Sequence, residues 1–406
     1  MTAVLCAVRG AGETAVVRAL SAAGGLTVAR RCADLAELLS SAAAGHGRVA
    51  VISADLPGLD REAVRHLHGS QVWVVVLSDD AVGWDAGRCA RLGGDAVAPG
   101  DRPEEIVGAV RGVSGRGESG PGAPDAPIAR VPEPARAPGR VVAVWGPTGA
   151  PGRTTVALGL AEALAREGCL LVDADPYGGT VAPAIGMLDE APGIAAACRT
   201  AATGRLDRLA LGALTPVVAP GLRVLSGITR ADRWPELAPA HLEEVWTVAR
   251  QLDPWVVVDC GFCLERDEAL SYDTRAPQRN GATLSALAEA DVVIAVGAAD
   301  PIGLQRLVRG LMELDDLDLA AERIVAVSKV RASVAGNRPV EAVRGALARY
   351  AGVTDVQLLP WDPGTCDAAV LAGRLPGEVG RGSVLPEALA QLAGALRSRV
   401  VAGAAH

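Results

Sequence analysis

The chain has 406 residues and half of them are hydrophobic, which is enough to bury more than one core. Aromatic residues make up only 3%, so the cores must be built mainly from Ala, Val and Leu. The formal net charge of −8 argues against a specific nucleic-acid surface, which is marked by clustered basic charge. No apolar run reaches the roughly 18 residues of a membrane-spanning helix, and the N-terminus lacks a signal-peptide pattern. These features predict a cytoplasmic protein.

Eight cysteines are scattered through the chain, as expected for reduced thiols in the cytoplasm. Cys260 and Cys263 have C-x-x-C spacing, but no second pair and no histidine partner follows them. The pattern therefore favours two small residues after a buried strand over a metal or redox site. Lys329 is the only lysine, so arginine carries nearly all of the positive charge.

Residues 114–139 are dominated by Gly, Pro, Ala and Arg and predict a flexible or polyproline-II-like linker between domains at 1–113 and 140–402. Both domains alternate short apolar runs with helical patterns, which is typical of a mostly parallel, doubly wound α/β sheet. The strands predicted in the first are Ala3–Val8, Leu26–Ala29, Val49–Ser53, Val72–Leu77 and Asp95–Ala98, with helices at Asp34–Ala43 and Arg61–His68. Those predicted in the second are Val141–Trp145, Leu170–Asp173, Trp255–Asp259, Val292–Val296 and Ile324–Ser328.

A glycine-rich segment, GPTGAPGRTT at 146–155, joins the strand at 141–145 to a helical pattern. The backbone N–H groups of such a turn can surround a phosphate, and Gly149 and Gly152 permit close approach. Thr154 opens the helix and can offer its hydroxyl to Mg²⁺. The match to G-x-x-x-x-G-K-[ST] is incomplete, because Pro147 replaces the first glycine and Arg153 the lysine. A glycine-rich turn without a ligand is the alternative.

Carboxylates follow two further strands. Asp173 and Asp175 come at the end of the strand at 170–173, and Asp259 ends the strand at 255–259. Ligands of open parallel sheets bind at the carboxyl ends of strands. A phosphate turn, a carboxylate pair and a single Asp at three strand ends predict a nucleoside triphosphate and Mg²⁺ site, whereas each Asp alone could be a helix cap or a solvated turn residue.

From Gly149 onward, the loop resembles the deviant Walker A pattern K-G-G-x-G-K-T-T of the MinD/ParA ATPases. The resemblance covers residues 140–400 and implies a P-loop NTPase domain with ATP and Mg²⁺ as cofactors. It assigns Asp175 to orientation of the attacking water, together with Arg153 as a catalytic cation, and it assigns Mg²⁺, directly or through water, to Thr154, Asp173 and Asp259. The remaining cofactor-binding residues it implies are Thr148, Gly149, Ala150, Pro151, Gly152, Arg153, Thr154 and Thr155 at the phosphates, and Ser328, Pro360 and Asp362 toward the adenine.

Four positions depart from this family pattern. Ala150 stands in place of the second glycine of the loop. The signature lysine falls on Thr148, the Walker lysine on Arg153, and the asparagine that reads adenine on Ser328. Arginine can meet phosphate with two hydrogen bonds, but it is larger than lysine and its charge lies elsewhere. We therefore expect ATP binding with, at most, weak or partner-dependent hydrolysis.

The segment 49–60 resembles the third strand and following loop of response-regulator receivers, in which the phosphoacceptor Asp lies four residues before a proline. Counting back from Pro57 gives Ser53, and the segment 6–10 lacks the acidic pair that receivers carry after their first strand. The resemblance implies a flavodoxin-like pseudo-receiver that serves for docking.

A pseudo-receiver, a linker and a deviant Walker A ATPase in this order resemble the CpaE/TadZ proteins, including the actinobacterial branch described as septum site-determining proteins. This implies a homodimeric positioning factor for pilus, secretion or division machinery, concentrated at a pole, a septum or the inner membrane face, with its partners bound through the pseudo-receiver. A scaffold that has lost hydrolysis is the alternative. At the C-terminus, leucines at helical spacing over Leu385–Val401 favour a packed helix over a peripheral membrane anchor.

Overall fold

The computed structural model describes residues 1–10, 12–116, 137–149, 151–187, 192–266 and 278–403. Most of the predicted linker at 114–139 lies outside the described residues, as does Ala150 of the glycine-rich loop. The described residues form two compact units, one containing a five-stranded sheet and the other an eight-stranded sheet.

The first unit has a parallel sheet with strand order β2-β1-β3-β4-β5, which is the flavodoxin-like order. The strands are β1 Thr2–Ala7, β2 Leu26–Arg31, β3 Val49–Ser53, β4 Trp73–Ser78 and β5 Ala96–Pro99. The helices are α1 Glu13–Ala22, α2 Leu35–Ala43, α3 Arg61–Gly69, α4 Ala86–Ala90 and α5 Pro103–Ser114, and Asp80–Val82 forms a 3₁₀ turn.

Helices cover both faces of this sheet. Leu38 of α2 and Leu67 of α3 are buried in one core cluster, whereas Leu20 of α1 and Ile106 of α5 are buried in another. The side chains of a strand alternate between the two faces, and a strand covered on both sides is therefore apolar throughout. Four of the five residues of β3 are accordingly fully buried.

The second unit has strand order β13-β12-β11-β6-β10-β7-β9-β8, and all pairs are parallel except the edge pair β8–β9. Its strands are β6 Arg140–Trp145, β7 Cys169–Ala174, β8 Val217–Ala219, β9 Leu222–Leu225, β10 Trp255–Cys260, β11 Val292–Ala298, β12 Glu322–Val330 and β13 Val356–Pro360. This confirms the predicted class, a mostly parallel, doubly wound α/β fold.

Helices surround this second sheet. Among the described residues, the helices of four residues or more are α6 Arg153–Leu164, α7 Val181–Ala184, α8 Gly193–Ala202, α9 Arg208–Leu214, α10 Pro239–Leu252, α11 Gly281–Glu289, α12 Pro301–Asp315, α13 Ala332–Ala335, α14 Pro339–Ala351, α15 Pro363–Ala372, α16 Pro376–Val379 and α17 Val384–Gly403. Short 3₁₀ turns lie at Ala165–Glu167 and Ala231–Glu236.

The terminal helix α17 packs against α6. Leu389, Leu392 and Leu396 are buried in the same core cluster as Leu160 of α6. A Cβ atom added to Gly159 would lie 2.3 Å from Cδ1 of Leu389, so the glycine allows the two helices to approach closely. The apolar stripe of this helix thus faces the core, as the sequence predicts. Within the described residues, no helix is long and apolar enough to cross a membrane.

Candidate nucleotide-binding site

Three neighbouring strands bring the candidate residues to one edge of the second sheet. β10 lies between β6 and β7, and Asp259 of β10 is directly in register with Asp173 of β7. The glycine-rich loop follows β6, so its helix, α6, begins beside these two carboxylates. The sequence could predict that the loop and the two carboxylates lie close together, because the three strands are parallel and end at the same edge of the sheet.

The glycine-rich loop has the backbone shape of a phosphate-binding turn. Gly149 and Gly152 have φ values of 106° and 92°, which favour glycine, and Gly152 is the N-cap of α6. The hydroxyl of Ser328 in β12 donates to the carbonyl of Pro151, which fixes the loop against the neighbouring part of the sheet. Positively polarised N–H groups at the start of a helix attract anions.

Thr154 and Asp259 form the polar centre of the site. The Thr154 hydroxyl donates to Oδ2 of Asp259 at 2.7 Å, and Oδ1 of Asp259 is buried and has no hydrogen-bond partner among the described residues. A buried carboxylate oxygen without a partner is costly unless another group satisfies it. Hard oxygen donors such as these suit Mg²⁺, which keeps several waters and binds few protein ligands. The residues therefore fit a magnesium ion held by Thr154 and Asp259.

Asp173 differs from Asp259 in that both of its carboxylate oxygens accept hydrogen bonds from the backbone. Its side chain is enclosed, and its two oxygens accept hydrogen bonds from the backbone N–H groups of Asp175, at 3.3 Å, and Val181, at 3.0 Å. Cβ atoms added to Gly179 or Gly227 would lie within 2.6 Å of this carboxylate, so both glycines make room for it. Asp173 thus orders the loop after β7, and each of its oxygens keeps a second lone pair for a metal ion or a metal-bound water.

The carboxyl groups of Asp173 and Asp259 are both buried, which disfavours their charged forms. Burial, and after it the charge of the neighbouring Asp173, raises the pKa of Asp259 from 3.8 to about 8, although the Thr154 hydroxyl and Arg153 act in the opposite direction. Burial likewise raises the pKa of Asp173 to about 7. A divalent cation beside Asp259 would favour the charged form of the carboxylate.

Arg153 lies over the loop with only 14% of its side chain exposed. Its Nη1 donates to the carbonyls of Gly146, at 3.1 Å, and Pro147, at 3.5 Å, and its Nη2 lies 3.6 Å from Oδ2 of Asp175. The other carboxylate oxygen of Asp175 accepts the backbone N–H of Tyr177 at 2.9 Å. The predicted catalytic pair, Arg153 and Asp175, is therefore brought together.

The residues predicted toward the base lie at the ends of β12 and β13. Pro360 is the last residue of β13, and Oδ1 of Asp362 accepts the backbone N–H of Thr365 at 3.2 Å and caps α15. Oδ2 of Asp362 is buried and has no hydrogen-bond partner in the described part of the chain, so it remains available as an acceptor. Ser328 has already donated its hydroxyl to the loop. A base contact by these three residues stays a prediction.

Sequence reasoning missed Arg306. This exposed residue of α12 lies against the loop, with Nη1 3.5 Å from the Thr148 carbonyl. A Cβ atom on Gly149 would lie 2.1 Å from the same nitrogen. No local motif could identify it, because it is 158 residues away from Thr148 along the chain.

The order and direction of the strands in the second unit give the mostly parallel α/β fold that solved ParA and MinD ATPases also have. A ParA family ATPase from Chlorobium tepidum is similar over 63% of this chain and 98% of its own, with a TM-score of 0.54 and 16% identity. The cell division ATPase MinD from Pyrococcus furiosus is similar over 64% of this chain and 99% of its own, with a TM-score of 0.50 and 18% identity. No protein-family model and no curated protein sequence matches the chain.

Proposed function

We propose that this chain is an ATP-binding positioning or assembly factor of the CpaE/TadZ type with weak or partner-dependent hydrolysis. The observation that supports the proposal most strongly is the hydrogen bond between Thr154 and Asp259 beside the phosphate turn, together with Oδ1 of Asp259, which is buried and has no hydrogen-bond partner within the described residues. These groups suit a magnesium-bound triphosphate. The fold shared with the ParA and MinD ATPases supports the same class of function.

Weak hydrolysis follows from the cations available at the loop. Charge that develops on the transferred phosphoryl group must be met by correctly placed positive groups. Thr148 carries no charge, and Arg153 is engaged with two loop carbonyls and Asp175. Losing one such electrostatic contact commonly costs about 10²–10³ in rate. We therefore expect steady-state turnover far below the typical ~10 s⁻¹ of enzymes.

A scaffold without hydrolysis is the second candidate. The Arg153–Asp175 pair favours it, because the two proposed catalytic groups neutralise each other. Phosphate release with and without binding partners separates the candidates. Turnover that Asp175→Ala abolishes supports the ATPase, whereas ATP binding without any phosphate release under either condition supports the scaffold.

The first unit is proposed to be a pseudo-receiver that docks partners at the pilus, secretion or division machinery. A cleft of about 1070 Å³ lies at the carboxyl end of its sheet. There the Ser53 hydroxyl accepts the Arg9 backbone N–H at 3.0 Å, and the Arg9 guanidinium lies 3.1 Å from the Asp55 carboxylate. An arginine thus occupies the region where a phosphorylatable receiver needs a cation-binding carboxylate pair.

Incubation with acetyl phosphate should give no aspartyl-phosphate adduct by mass spectrometry, and a stable adduct on Asp55 would overturn this assignment.

The cellular role is tested by localisation of the full-length chain. A fluorescent fusion of the wild type should concentrate at a pole, a septum or the inner membrane face, and Arg153→Ala should be diffuse because nucleotide binding is impaired. Arg344→Ala, an exposed change in α14, is the matched control and should localise like the wild type. Uniform distribution of the wild type would contradict the positioning role.

Sedimentation should show a homodimer that ATP strengthens only weakly, since Thr148 cannot reach a partner's phosphates.

A further inference from the structure

Two aromatic side chains stack beside the phosphate loop. Phe262, the only phenylalanine in the chain, lies three residues after Asp259, and Tyr177 lies two residues after Asp175. Their ring centroids are 4.6 Å apart with an interplanar angle of 35°. Aromatic pairs at this separation are attractive beyond their apolar burial. The stack joins the loop after β10 to the loop after β7.

A guanidinium lies at each end of this stack. The Cζ atom of Arg279 is 4.6 Å from the ring centroid of Tyr177, and that of Arg153 is 6.0 Å from the centroid of Phe262. A cation near the face of an aromatic ring is attracted by its quadrupole within about 6 Å. The result is a row of cation, ring, ring and cation that ends at the arginine of the phosphate loop.

The tyrosine end of the row is fixed by hydrogen bonds. The Tyr177 hydroxyl donates to Oδ1 of Asn280 at 2.8 Å. The Asn280 amide nitrogen donates in turn to the carbonyl of Glu265 at 2.8 Å and to Sγ of Cys263 at 3.2 Å. Asn280 is itself buried, so its amide is held by protein groups. Tyr177 therefore presents a fixed surface to Phe262.

The two loops also touch at their backbones. A Cβ atom on Gly261 would lie 2.8 Å from Cδ of Pro176 and 3.2 Å from Oδ1 of Asp175. The backbone N–H of Gly261 donates to the Thr283 hydroxyl at 3.0 Å. These contacts fix the backbone immediately before Phe262.

Two of the three polar contacts of the Arg153 guanidinium are 3.5 Å or longer. One carbonyl hydrogen bond is 3.1 Å long, the second is at 3.5 Å, and the carboxylate of Asp175 is at 3.6 Å. Nε is buried and has no hydrogen-bond partner in the described chain. The ring of Phe262 is the aromatic group beside this side chain, with its centroid 6.0 Å from the Arg153 Cζ atom.

We propose that Tyr177 and Phe262 are positioning residues, whose stacked rings hold Arg153 over the phosphate loop and beside Asp175. The role in nucleotide binding rests on the proposed function, whereas the coupling between Phe262 and Arg153 is a property of the ligand-free protein. Neither aromatic residue needs to touch the nucleotide. Together they keep the guanidinium in place, which reduces the ordering cost when a phosphate arrives.

The coupling can be measured without nucleotide. Because the chain has one phenylalanine, incorporation of 4-fluorophenylalanine labels Phe262 alone and gives a single ¹⁹F resonance. Arg153→Ala and Tyr177→Leu should each shift this resonance in the ligand-free protein. Arg344→Ala, an exposed change in α14, should leave it in place. A resonance that Arg153→Ala does not move would overturn the proposal.

The consequence for binding is tested by a double-mutant cycle on ATP–Mg²⁺ affinity. Phe262→Leu should weaken ATP–Mg²⁺ binding roughly two- to fivefold, which corresponds to the free energy of one cation–ring contact. Phe262→Tyr keeps an aromatic ring at this position and should bind like the wild type. In an Arg153→Gln background, Phe262→Leu should cause no further loss. An equal loss in both backgrounds would mean that Phe262 acts only on folding and would overturn the proposal. If the wild type binds no ATP, the proposed function fails, and the fluorine measurement alone decides the positioning role.

Discussion

At the scale of single residues, the sequence could predict those site residues that lie at the ends of strands. Asp173, Asp175 and Asp259 lie at the ends of parallel strands, so their proximity could be deduced from the order of apolar runs. The different role of each carboxylate could not be deduced from the sequence. Among the described residues, Oδ1 of Asp259 has no hydrogen-bond partner and suits a metal, whereas both oxygens of Asp173 accept backbone hydrogen bonds. Such differences depend on which backbone N–H groups face each carboxylate.

The hydrogen bond made by Ser328 also could not be predicted from the sequence. The sequence places it at the end of a late strand, where the family resemblance predicts a base contact. In the structure it is buried and its hydroxyl donates to the carbonyl of Pro151 in the phosphate loop. A hydroxyl can donate only one hydrogen bond, so Ser328 can offer a base only its acceptor capacity. Oδ2 of Asp362, which is buried and has no hydrogen-bond partner in the part of the chain that the structure describes, is the better placed acceptor.

Arg306 is expected to add a second positive charge to the phosphate loop. Arg306→Ala should weaken ATP affinity roughly two- to fivefold, in the range of an exposed ion pair, and the loss should shrink when salt is raised from about 0.05 M to about 0.5 M. Fluorescent-nucleotide displacement measures both quantities. Arg344→Ala is the matched control and should bind like the wild type, and an equal loss in this control would show that only general charge matters.

The buried carboxylates predict a pH-dependent stability of the ligand-free protein. The folded-state pKa values of Asp173 and Asp259 are raised to about 7 and about 8, above the ordinary 3.8. The folded state therefore binds more protons than the unfolded state between about pH 4 and pH 8, and the free energy of unfolding falls as pH rises through this window.

Urea unfolding at pH 5 and pH 8 in the presence of EDTA measures this effect. The wild type should lose stability between the two values, and Asp259→Asn should lose less, because the amide can still accept the Thr154 hydroxyl but has no proton to release. An identical pH dependence in the two proteins would show that Asp259 is not titrating in this range.

At the scale of elements, buried strands were the best predicted. Predicted and observed ends agree for Val49–Ser53 and differ by one residue for Trp255–Cys260. The edge hairpin of β8 and β9 was missed, because Val217–Ala219 and Leu222–Leu225 are too short to show a period. Their pairing is antiparallel and lies at the edge, so it could not be inferred from the βα pattern.

The packing of α17 on α6 makes a specific stability prediction. Leu389 is 1% exposed and contacts the position of Gly159, so Leu389→Ala should lower the free energy of unfolding by about 2–5 kcal/mol. Leu371→Ala removes the same atoms from a side chain that is 91% exposed and should change stability by about 0.5 kcal/mol or less. Urea unfolding compares the two variants, and equal effects would contradict the packed terminal helix.

At the scale of the whole molecule, the alternation of apolar runs and helical patterns predicted two α/β sheets, and the structure has both. The composition of residues 114–139 separates them in the sequence, although most of that segment lies outside the described residues. The identity of the first unit as a pseudo-receiver stays a prediction. Its strand order is flavodoxin-like, but strand order alone fits many functions.

The central claim, that the strand-end site binds ATP with Mg²⁺, is tested most directly by calorimetric titration of the full chain. The wild type should bind ATP–Mg²⁺ at one site per chain, and EDTA or Asp259→Asn should weaken the binding. Arg153→Ala should weaken it roughly ten- to hundredfold, the range expected for hydrogen bonds to a charged group. No binding by the wild type, or an unchanged affinity in Arg153→Ala, would contradict the assignment of this loop as a phosphate-binding site.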